Sequence, residues 1–295
     1  TFRRLSVKSL IVASAICLLL MSARENVNLF RSKIIIDKGE QALRIDTTVA
    51  KLSIEEKEHI AAMKSFKERS LIGSRKKEME TSIRKVQGNY STLYKYQTER
   101  GFNFFTSIIF YISFSHVLFM FLGMALYKNG FLTGNAPVSV YWILFVAGTL
   151  LGLLLTWPKL AIMLKYDFDR FEYTKQMRFD FSEFGRVFRS IGIFGLLMLL
   201  FKSGQFKWLF RLMKPVGQMA FTNYLTQSLL MGLFFYGVGF GMFGKLERYE
   251  IYYVVGATWL LQIIWSHIWL RFFRFGPLEW CWRSLTYWKR QPFVK

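Results

Sequence analysis

The sequence predicts an all-α protein: a polytopic integral membrane bundle of about six spanning helices, with a mostly helical extracytoplasmic insertion. Two observations lead to this prediction. Charged residues are nearly absent from several long apolar windows and dense between them, as a chain that crosses a bilayer requires. In contrast, one long segment, residues 23–104, is too polar to cross a membrane.

Six segments are apolar enough to be proposed as spans, and they differ in strength. They are residues 5–22, 105–127, 138–157, 184–201, 219–243 and 251–272. The first also resembles a signal peptide, but the spans that follow it favour a membrane helix. The third is the most apolar, and the spacing of Gly148 and Gly152 predicts close helix packing. The fourth is the weakest because Arg186 and Arg189 shorten its uncharged stretch, although snorkelling can place both side chains at the membrane interface.

The spans divide the chain into four parts. Residues 1–22 are predicted to continue earlier spans of a longer protein, because the chain begins with Thr1 rather than Met. Residues 23–104 form the polar insertion, residues 105–275 the transmembrane bundle and residues 276–295 a cytoplasmic interfacial tail. Long loops translocate largely regardless of their charge, so the segment 23–104 is left out of the count. Alternation of the six spans then places 14 Lys/Arg on the side of both chain ends and 9 on the other side. The positive-inside rule therefore predicts that both ends are cytoplasmic.

The insertion begins a helix with a recognisable signal, since Ser53 and Glu56 fit a capping box. It is interpreted either as a helical lid or, more simply, as a solvated helical linker. Its 17 Lys/Arg are interleaved with 11 Asp/Glu. The segment therefore lacks the continuous basic stripe that would predict nucleic-acid binding.

Cys17, Cys281 and three scattered histidines predict neither a disulfide framework nor a metal site. The alternating aromatic and charged residues of 166–184 predict a segment lying along the interface.

A polar face in the fifth span is the first candidate site. Thr222, Asn223 and Gln227 interrupt an otherwise apolar helix, and Asn223 and Gln227 share one face because they are four residues apart. Amides in hydrocarbon are costly unless they are paired, so this face must meet protein or water. Two interpretations stay open: attachment to a neighbouring helix, or the wall of a substrate pathway.

The tail is the second candidate site, an anchor at the membrane surface. Trp280, Trp282 and Tyr287 suit the headgroup region, and Arg283 suits an anionic leaflet. Glu279 precedes Arg283 by four residues, which permits an ion pair on a helix. Because a carboxylate gains little at a lipid surface, this pairing indicates a specific inward contact.

His116, near the middle of the second span, is the candidate catalytic residue. An ionisable side chain inside a span is a functional-site hypothesis, and imidazole can transfer protons near neutral pH. The alternative is a neutral histidine that donates a hydrogen bond to a carbonyl of a neighbouring helix.

Three ordered motifs resemble the YeiB-like family of bacterial membrane proteins, the family of domain of unknown function 418. They are the turn at residues 123–132 (GMALYKNGFL), the helix start at residues 217–228 (GQMAFTNYLTQS) and the tail at residues 276–289 (GPLEWCWRSLTYWK). The chain departs from the family pattern at Gln218, Phe221, Cys281 and Trp288, and Gln218 stands where the family usually has arginine. The resemblance covers essentially the whole chain.

The resemblance implies a multi-pass protein of the bacterial cytoplasmic membrane whose activity is unsettled. Its layout is similar to that of membrane acyltransferases, which implies acyl-CoA as a donor substrate, no further cofactor and an extracytoplasmic acceptor. It also implies a histidine and an aspartate in preceding spans, outside this chain. A transport-associated protein that moves a small solute is the alternative, and a structural membrane scaffold is the second alternative.

Overall fold

A computed structural model describes residues 4–45, 53–70 and 72–295 of the chain. These residues form eleven helices: α1 (Val7–Leu43), α2 (Ile54–Ser70), α3 (Ile72–Val86), α4 (Tyr90–Lys128), α5 (Val138–Lys165), α6 (Arg170–Gln176), α7 (Ser182–Ser203), α8 (Lys207–Gln218), α9 (Ala220–Phe235), α10 (Arg248–Phe272) and α11 (Pro277–Tyr287). Within these ranges, the β-type pairing is confined to one bridge, between Phe273 and Val294. The predicted all-α membrane fold is confirmed.

Among the described residues, four helices are long and apolar enough to cross a membrane: α1, α5, α7 and α10. They match four of the predicted spans, including the weak fourth one. The second predicted span lies in α4, whose residues 114–128 form a shorter apolar stretch; the side chains of residues 107, 108 and 110–113 lie outside the described part.

The fifth predicted span is shorter than expected. Its helix, α9, has 16 residues and is about 24 Å long, less than the roughly 30 Å of a hydrocarbon core. The chain leaves the helix after Phe235 because glycines follow, and Gly241 and Gly244 adopt positive φ angles of 60° and 75°. A positive φ is strained for other residues but not for glycine.

Helix α1 continues well beyond the predicted boundary at residue 22. Its 37 residues extend about 56 Å, so its second half forms the start of the polar insertion. The predicted capping box begins α2, where the Glu56 side chain accepts from the Ser53 N–H at 2.6 Å and Ser53 Oγ accepts from the Glu56 N–H at 3.2 Å. The described part of the insertion is thus helical, and the side of the membrane on which it lies stays a prediction.

The chain forms two compact units. The first comprises Thr1–Met79 and Asn103–Lys202, and the second comprises Glu80–Phe102 and Ser203–Lys295. In the first unit, α1 packs against α2, and Met63 of α2 is buried with Ile36 of α1. In the second unit, α10 packs against α8, and α9 packs against α11.

Helices α5 and α7 approach closely through glycines. A Cβ on Gly148 would lie 2.7 Å from the backbone nitrogen of Gly192, and a Cβ on Gly152 would lie 2.9 Å from that of Arg189. Small residues allow such an approach, which drives helix association in lipid through van der Waals packing. The predicted close packing at Gly148 and Gly152 is confirmed.

Candidate functional site

The candidate polar face and the candidate tail meet at the beginning of α9. The residue before this helix, Met219, offers no side-chain acceptor to the first N–H groups, which an α-helix cannot satisfy internally. Glu279 of α11 supplies it: Oε1 accepts from the N–H groups of Phe221 at 2.7 Å and Thr222 at 3.0 Å. Oε2 accepts from Thr222 Oγ1 at 2.5 Å. The carboxylate thus caps a helix on a distant segment and interacts favourably with its dipole.

The tail motif builds this cap from its first residues. Pro277 occupies the first helical position of α11, where its missing N–H costs nothing. A Cβ on Gly276 would clash with Glu279 Oε2 and lie 2.8 Å from Thr222 Oγ1, so a larger residue here would displace the capping carboxylate. The Leu278 N–H donates to Thr222 Oγ1 at 3.2 Å. Two separate sequence motifs therefore form a single junction, called the α9 junction below.

The predicted ion pair between Glu279 and Arg283 does not form, because the carboxylate is occupied by α9. Arg283 instead places its guanidinium carbon 4.5 Å from the centre of the Phe275 ring. Glu279 does make an inward contact, but its partner is a helix end. Arg283, Glu279, Phe221 and Trp282 line a cavity of about 300 Å³.

Asn223 attaches α9 to α10. Its Nδ2 donates to the Val216 carbonyl at 3.1 Å and to Ser266 Oγ at 3.0 Å, and its Oδ1 accepts from Trp265 Nε1 at 3.0 Å. Gln262 of α10 adds a bond from its Nε2 to Gln227 Oε1 at 3.3 Å. Both amide hydrogens of Asn223 are engaged, so this face makes the contacts of a helix–helix attachment, and its role in a substrate pathway stays a prediction.

The other tail residues separate into inner and outer sets. Trp280 donates from Nε1 to the Gln291 carbonyl at 2.8 Å and packs against Phe293, with ring centres 5.0 Å apart. Trp282 and Tyr287 are exposed, as expected of side chains that meet a lipid surface.

His116 belongs to the first unit and is exposed on α4. Its neighbour Ser115 is buried and accepts a hydrogen bond from Arg186 at 3.0 Å. Arg186 also forms an ion pair with Glu183 at 2.6 Å, in the first turns of α7. Arg186 of the weak fourth span therefore has protein partners.

A second polar site, in the first unit, was missed by the sequence analysis. Asp180 precedes α7 and is buried, and its Oδ2 accepts from Lys159 Nζ at 2.8 Å and from the Tyr173 hydroxyl at 2.9 Å. Its Oδ1 accepts from the N–H of Ser182 at 2.8 Å and from the Ser182 hydroxyl. Asn26 of α1 binds the Asp180 backbone through two further hydrogen bonds.

The protonation states in this cluster follow from burial and charge. Burial alone would raise the pKa of Asp180, but the hydrogen bonds from Lys159 and Ser182 outweigh it and lower the pKa. Burial and the Asp180 carboxylate raise the pKa of Tyr173 well above its ordinary value. The carboxylate is thus ionised and saturated with donors, while the phenol stays protonated. Asp180 holds its surroundings in place and has no free lone pair with which to act as a base.

The Asp180 cluster borders a cavity of about 600 Å³, called the Asp180 pocket below. The lining combines three carboxylates, three cations and several hydroxyl or amide groups with a few apolar side chains. These residues are Glu25, Asn28, Leu29, Ser32, Arg69, Ser70, Glu78, Lys159, Met163, Phe168, Arg170, Tyr173, Thr174 and Asp180. His116 is not among them. The balance of charge suits a polar ligand of little net charge.

Comparison with known protein families decides the identity of the chain. A family model described as "Protein of unknown function (DUF418)" matches residues 126–289, more than half of the 295 residues. This chain belongs to the DUF418 family. The resemblance predicted from the three motifs is therefore confirmed, and the DUF418 match includes both partners of the α9 junction.

Three curated proteins are similar to this DUF418 chain, and each is named as uncharacterized. Uncharacterized protein YxaH of Bacillus subtilis (strain 168) is 48% identical over 80 residues, 27% of the chain and 20% of YxaH. Uncharacterized protein YeiB of Escherichia coli (strain K12) is 33% identical over 168 residues, 57% of the chain and 43% of YeiB. An uncharacterized 39.9 kDa protein of Bacillus acidopullulyticus is 35% identical over 100 residues, 34% of the chain and 28% of that protein.

The chain spans less than half the length of these curated relatives. No solved structure matches it.

The α9 junction leads to a stability prediction. Replacing Glu279 with alanine removes the acceptor of three hydrogen bonds and a charge that complements the helix dipole. We expect a loss of about 2 kcal/mol in the free energy of unfolding, measured by thermal or denaturant unfolding in detergent. Glu279→Gln keeps one acceptor oxygen but loses the charge, so it should lower the free energy of unfolding by about half as much.

Arg283→Gln is the matched control, because Arg283 lies one turn away but takes no part in the cap. It should change the stability by less than about 1 kcal/mol. Equal losses for Glu279→Ala and Arg283→Gln would contradict the capping role.

Proposed function

We propose that this DUF418 protein is an acyltransferase-like enzyme of the bacterial cytoplasmic membrane, with both ends of this chain cytoplasmic. In this proposal the Asp180 pocket receives an extracytoplasmic acceptor that bears hydroxyl groups. Acyl-CoA is the donor, and no other cofactor is invoked. In the reaction the carbonyl–sulfur bond of the thioester breaks, an ester bond to the acceptor oxygen forms and the hydroxyl proton ends on the released thiol.

The observation that carries the proposal is the position of the Asp180 pocket at the ends of apolar helices. Lys159 lies about 32 Å along α5 from Val138, and Asn26 lies about 29 Å along α1 from Val7. Both distances are close to the hydrocarbon thickness of roughly 30 Å. A polar cavity thus lies about one membrane thickness from the opposite ends of two candidate spans, where an acceptor outside the membrane can enter.

The chemistry of the lining supports an acceptor of this class. Glu25 and Glu78 can accept hydrogen bonds from hydroxyl groups, and Arg69 and Arg170 can donate to acceptor oxygens. Precise polar groups in a concave site fix the orientation of a ligand. Orientation is what transfer to one particular hydroxyl requires.

Acyl transfer is tested with the full-length protein in nanodiscs, using radiolabelled acyl-CoA and a panel of hydroxylated acceptors. Glu25→Gln changes the pocket without removing any hydrogen bond of the Asp180 carboxylate. We expect it to raise the KM for the acceptor about tenfold, the usual effect of one lost hydrogen bond to a charged group, while acyl-CoA binding stays unchanged. Asp37→Asn, an exposed change on the same helix, should leave both unchanged.

His116 stays the candidate catalytic residue of this chain, in the role of a proton relay inside the membrane. The general base that takes the proton of the acceptor hydroxyl is, in this proposal, the histidine that the resemblance implies in the preceding spans. We expect His116→Ala to lower kcat without changing the KM for the acceptor, because His116 does not line the pocket. Full-length protein that neither binds nor hydrolyses any acyl-CoA in the panel would exclude the acyltransferase proposal.

The same nanodisc preparation, moved to sealed proteoliposomes, tests the transport alternative. Accumulation of a small solute that Glu25→Gln reduces, without any acyl transfer, would favour transport. A wild-type level of function in Glu25→Gln, His116→Ala and Asn223→Ala proteins would favour a structural scaffold.

A further inference from the structure

Helix α8 of the second unit is strongly amphipathic, and none of its residues is buried. Lys207, Arg211 and Lys214 follow one another at intervals of four and three residues, which places them on one face of the helix. The helix contains no acidic residue. One face of α8 is therefore uniformly basic.

The other side of α8 is apolar and partly exposed. Leu209 and Met213, each 37% exposed, lie on the half of the helix opposite the basic face, and Trp208, 63% exposed, lies at the border between the two. The apolar side chains therefore keep much of their surface uncovered by the residues that the structure describes. A helix with a basic face opposite an exposed apolar face is typical of one that lies in the plane of a membrane surface.

The position of α8 in the second unit agrees with such a surface. The helix ends at Gln218, and α9 begins two residues later, at Ala220. At this end of α9 the Glu279 carboxylate of α11 also binds. Helix α11 in turn follows the C-terminal end of α10. Helices α8 and α11 thus lie at the same end of the apolar pair α9 and α10.

The charge of the second unit is concentrated at this end. Residues 203–218 and 271–295 together hold nine Lys/Arg and one acidic residue, and that residue, Glu279, is occupied in the α9 junction. The opposite end of the pair, residues 236–250, holds two Lys/Arg and two Glu. Such an asymmetry matches the anionic surface of a cytoplasmic leaflet.

We propose that α8 is an in-plane helix that binds anionic phospholipids. Its basic face binds their headgroup phosphates through Lys207, Arg211 and Lys214, and Trp208, Leu209 and Met213 enter the boundary of the acyl chains. This inference concerns the second unit alone and does not depend on acyl transfer by the protein.

Native mass spectrometry of the full-length protein in neutral detergent tests this inference, with dioleoyl phosphatidylglycerol and dioleoyl phosphatidylcholine as probes. The wild-type protein should retain phosphatidylglycerol preferentially. Arg211→Gln with Lys214→Gln should weaken that retention roughly 25-fold, since each charge near an anionic lipid contributes about fivefold at low salt. The preference should decrease as the salt concentration rises.

Lys245→Gln with Arg248→Gln is the matched control, because it removes one lysine and one arginine from exposed positions at the other end of the unit. It should leave the lipid preference unchanged. Equal retention of the two lipids by the wild-type protein, or equal losses in both double variants, would overturn the proposal. The proposal would also be overturned if an acidic protein co-purified with the wild type but not with the Arg211→Gln, Lys214→Gln variant, while both proteins retained phosphatidylglycerol equally.

Discussion

Replacing Asp180 with alanine is expected to lower the free energy of unfolding by about 3 kcal/mol, at the lower limit for breaking a buried ion pair. The carboxylate accepts four hydrogen bonds, from Lys159, Tyr173 and Ser182. Its removal leaves the ammonium and the phenol without their acceptor. The loss stays near the lower limit because the Lys159 side chain is 35% exposed, and water can solvate it. Denaturant unfolding in detergent measures this loss.

Asp180→Asn, measured in the same experiment, removes the charge of the side chain but keeps its shape. The amide keeps one acceptor oxygen but cannot neutralise Lys159, so we expect roughly half of the alanine loss. Asp37→Ala, an exposed aspartate of the same unit, should change the stability by less than about 0.5 kcal/mol. A loss as large in Asp37→Ala as in Asp180→Ala would contradict a specific role for the cluster.

The Asp180 cluster also gives the stability a defined pH dependence. The pKa of Asp180 is lower in the folded protein than its ordinary value of 3.8. Its contribution is therefore complete well above pH 3.8 and disappears as the pH falls through the folded pKa. The stability difference between wild type and Asp180→Asn should accordingly shrink below about pH 4.

Replacing Gly192 with alanine is expected to cost about 3 kcal/mol, the upper part of the range for overpacking. A Cβ at this position would lie 2.7 Å from Thr149 Oγ1 and 2.8 Å from the Thr149 nitrogen. Backbone atoms cannot move aside as a flexible side chain can, so α5 and α7 must separate. In lipid no hydrophobic force compensates for lost contacts between helices. Thermal unfolding in detergent measures the cost.

Gly123→Ala is the matched control and should have the opposite sign. It also lies in a helix of the first unit, but a Cβ there meets no atom within 4 Å. Alanine should therefore stabilise α4 by up to about 1 kcal/mol through its helix propensity. Destabilisation of similar size at both positions would show that close packing is not the cause.

The membrane fold could be predicted because it depends on local composition. Long uncharged windows indicate spans, and the spacing of Gly148 and Gly152 indicates close packing without knowledge of the partner helix. The end of α9 was harder, since the apolar sequence continues past Phe235 and only the glycines mark the turn. The sequence shows where the glycines are. Whether a helix ends at such glycines or continues through them depends on the residues packed around them.

The candidate sites were less predictable because their partners are distant in sequence. Glu279 has an arginine four residues away, and a local rule favours that pair. The structure instead pairs it with a helix end 57 residues earlier. Asp180 shows a local signal in Ser182, which begins α7, but nothing near it in sequence identifies Lys159 or Asn26 as partners. Helix packing brings these side chains together.

The attachment of Glu279 to α9 has a consequence for biosynthesis. During translation the beginning of α9 leaves the ribosome well before α11, so the first N–H groups of α9 must enter the membrane region without their final acceptor. They must be hydrated or held by the insertion machinery until α11 has been synthesised. A premature stop before Gly276 would leave this helix end permanently exposed, as a mark of an unfinished protein that quality-control proteases could recognise.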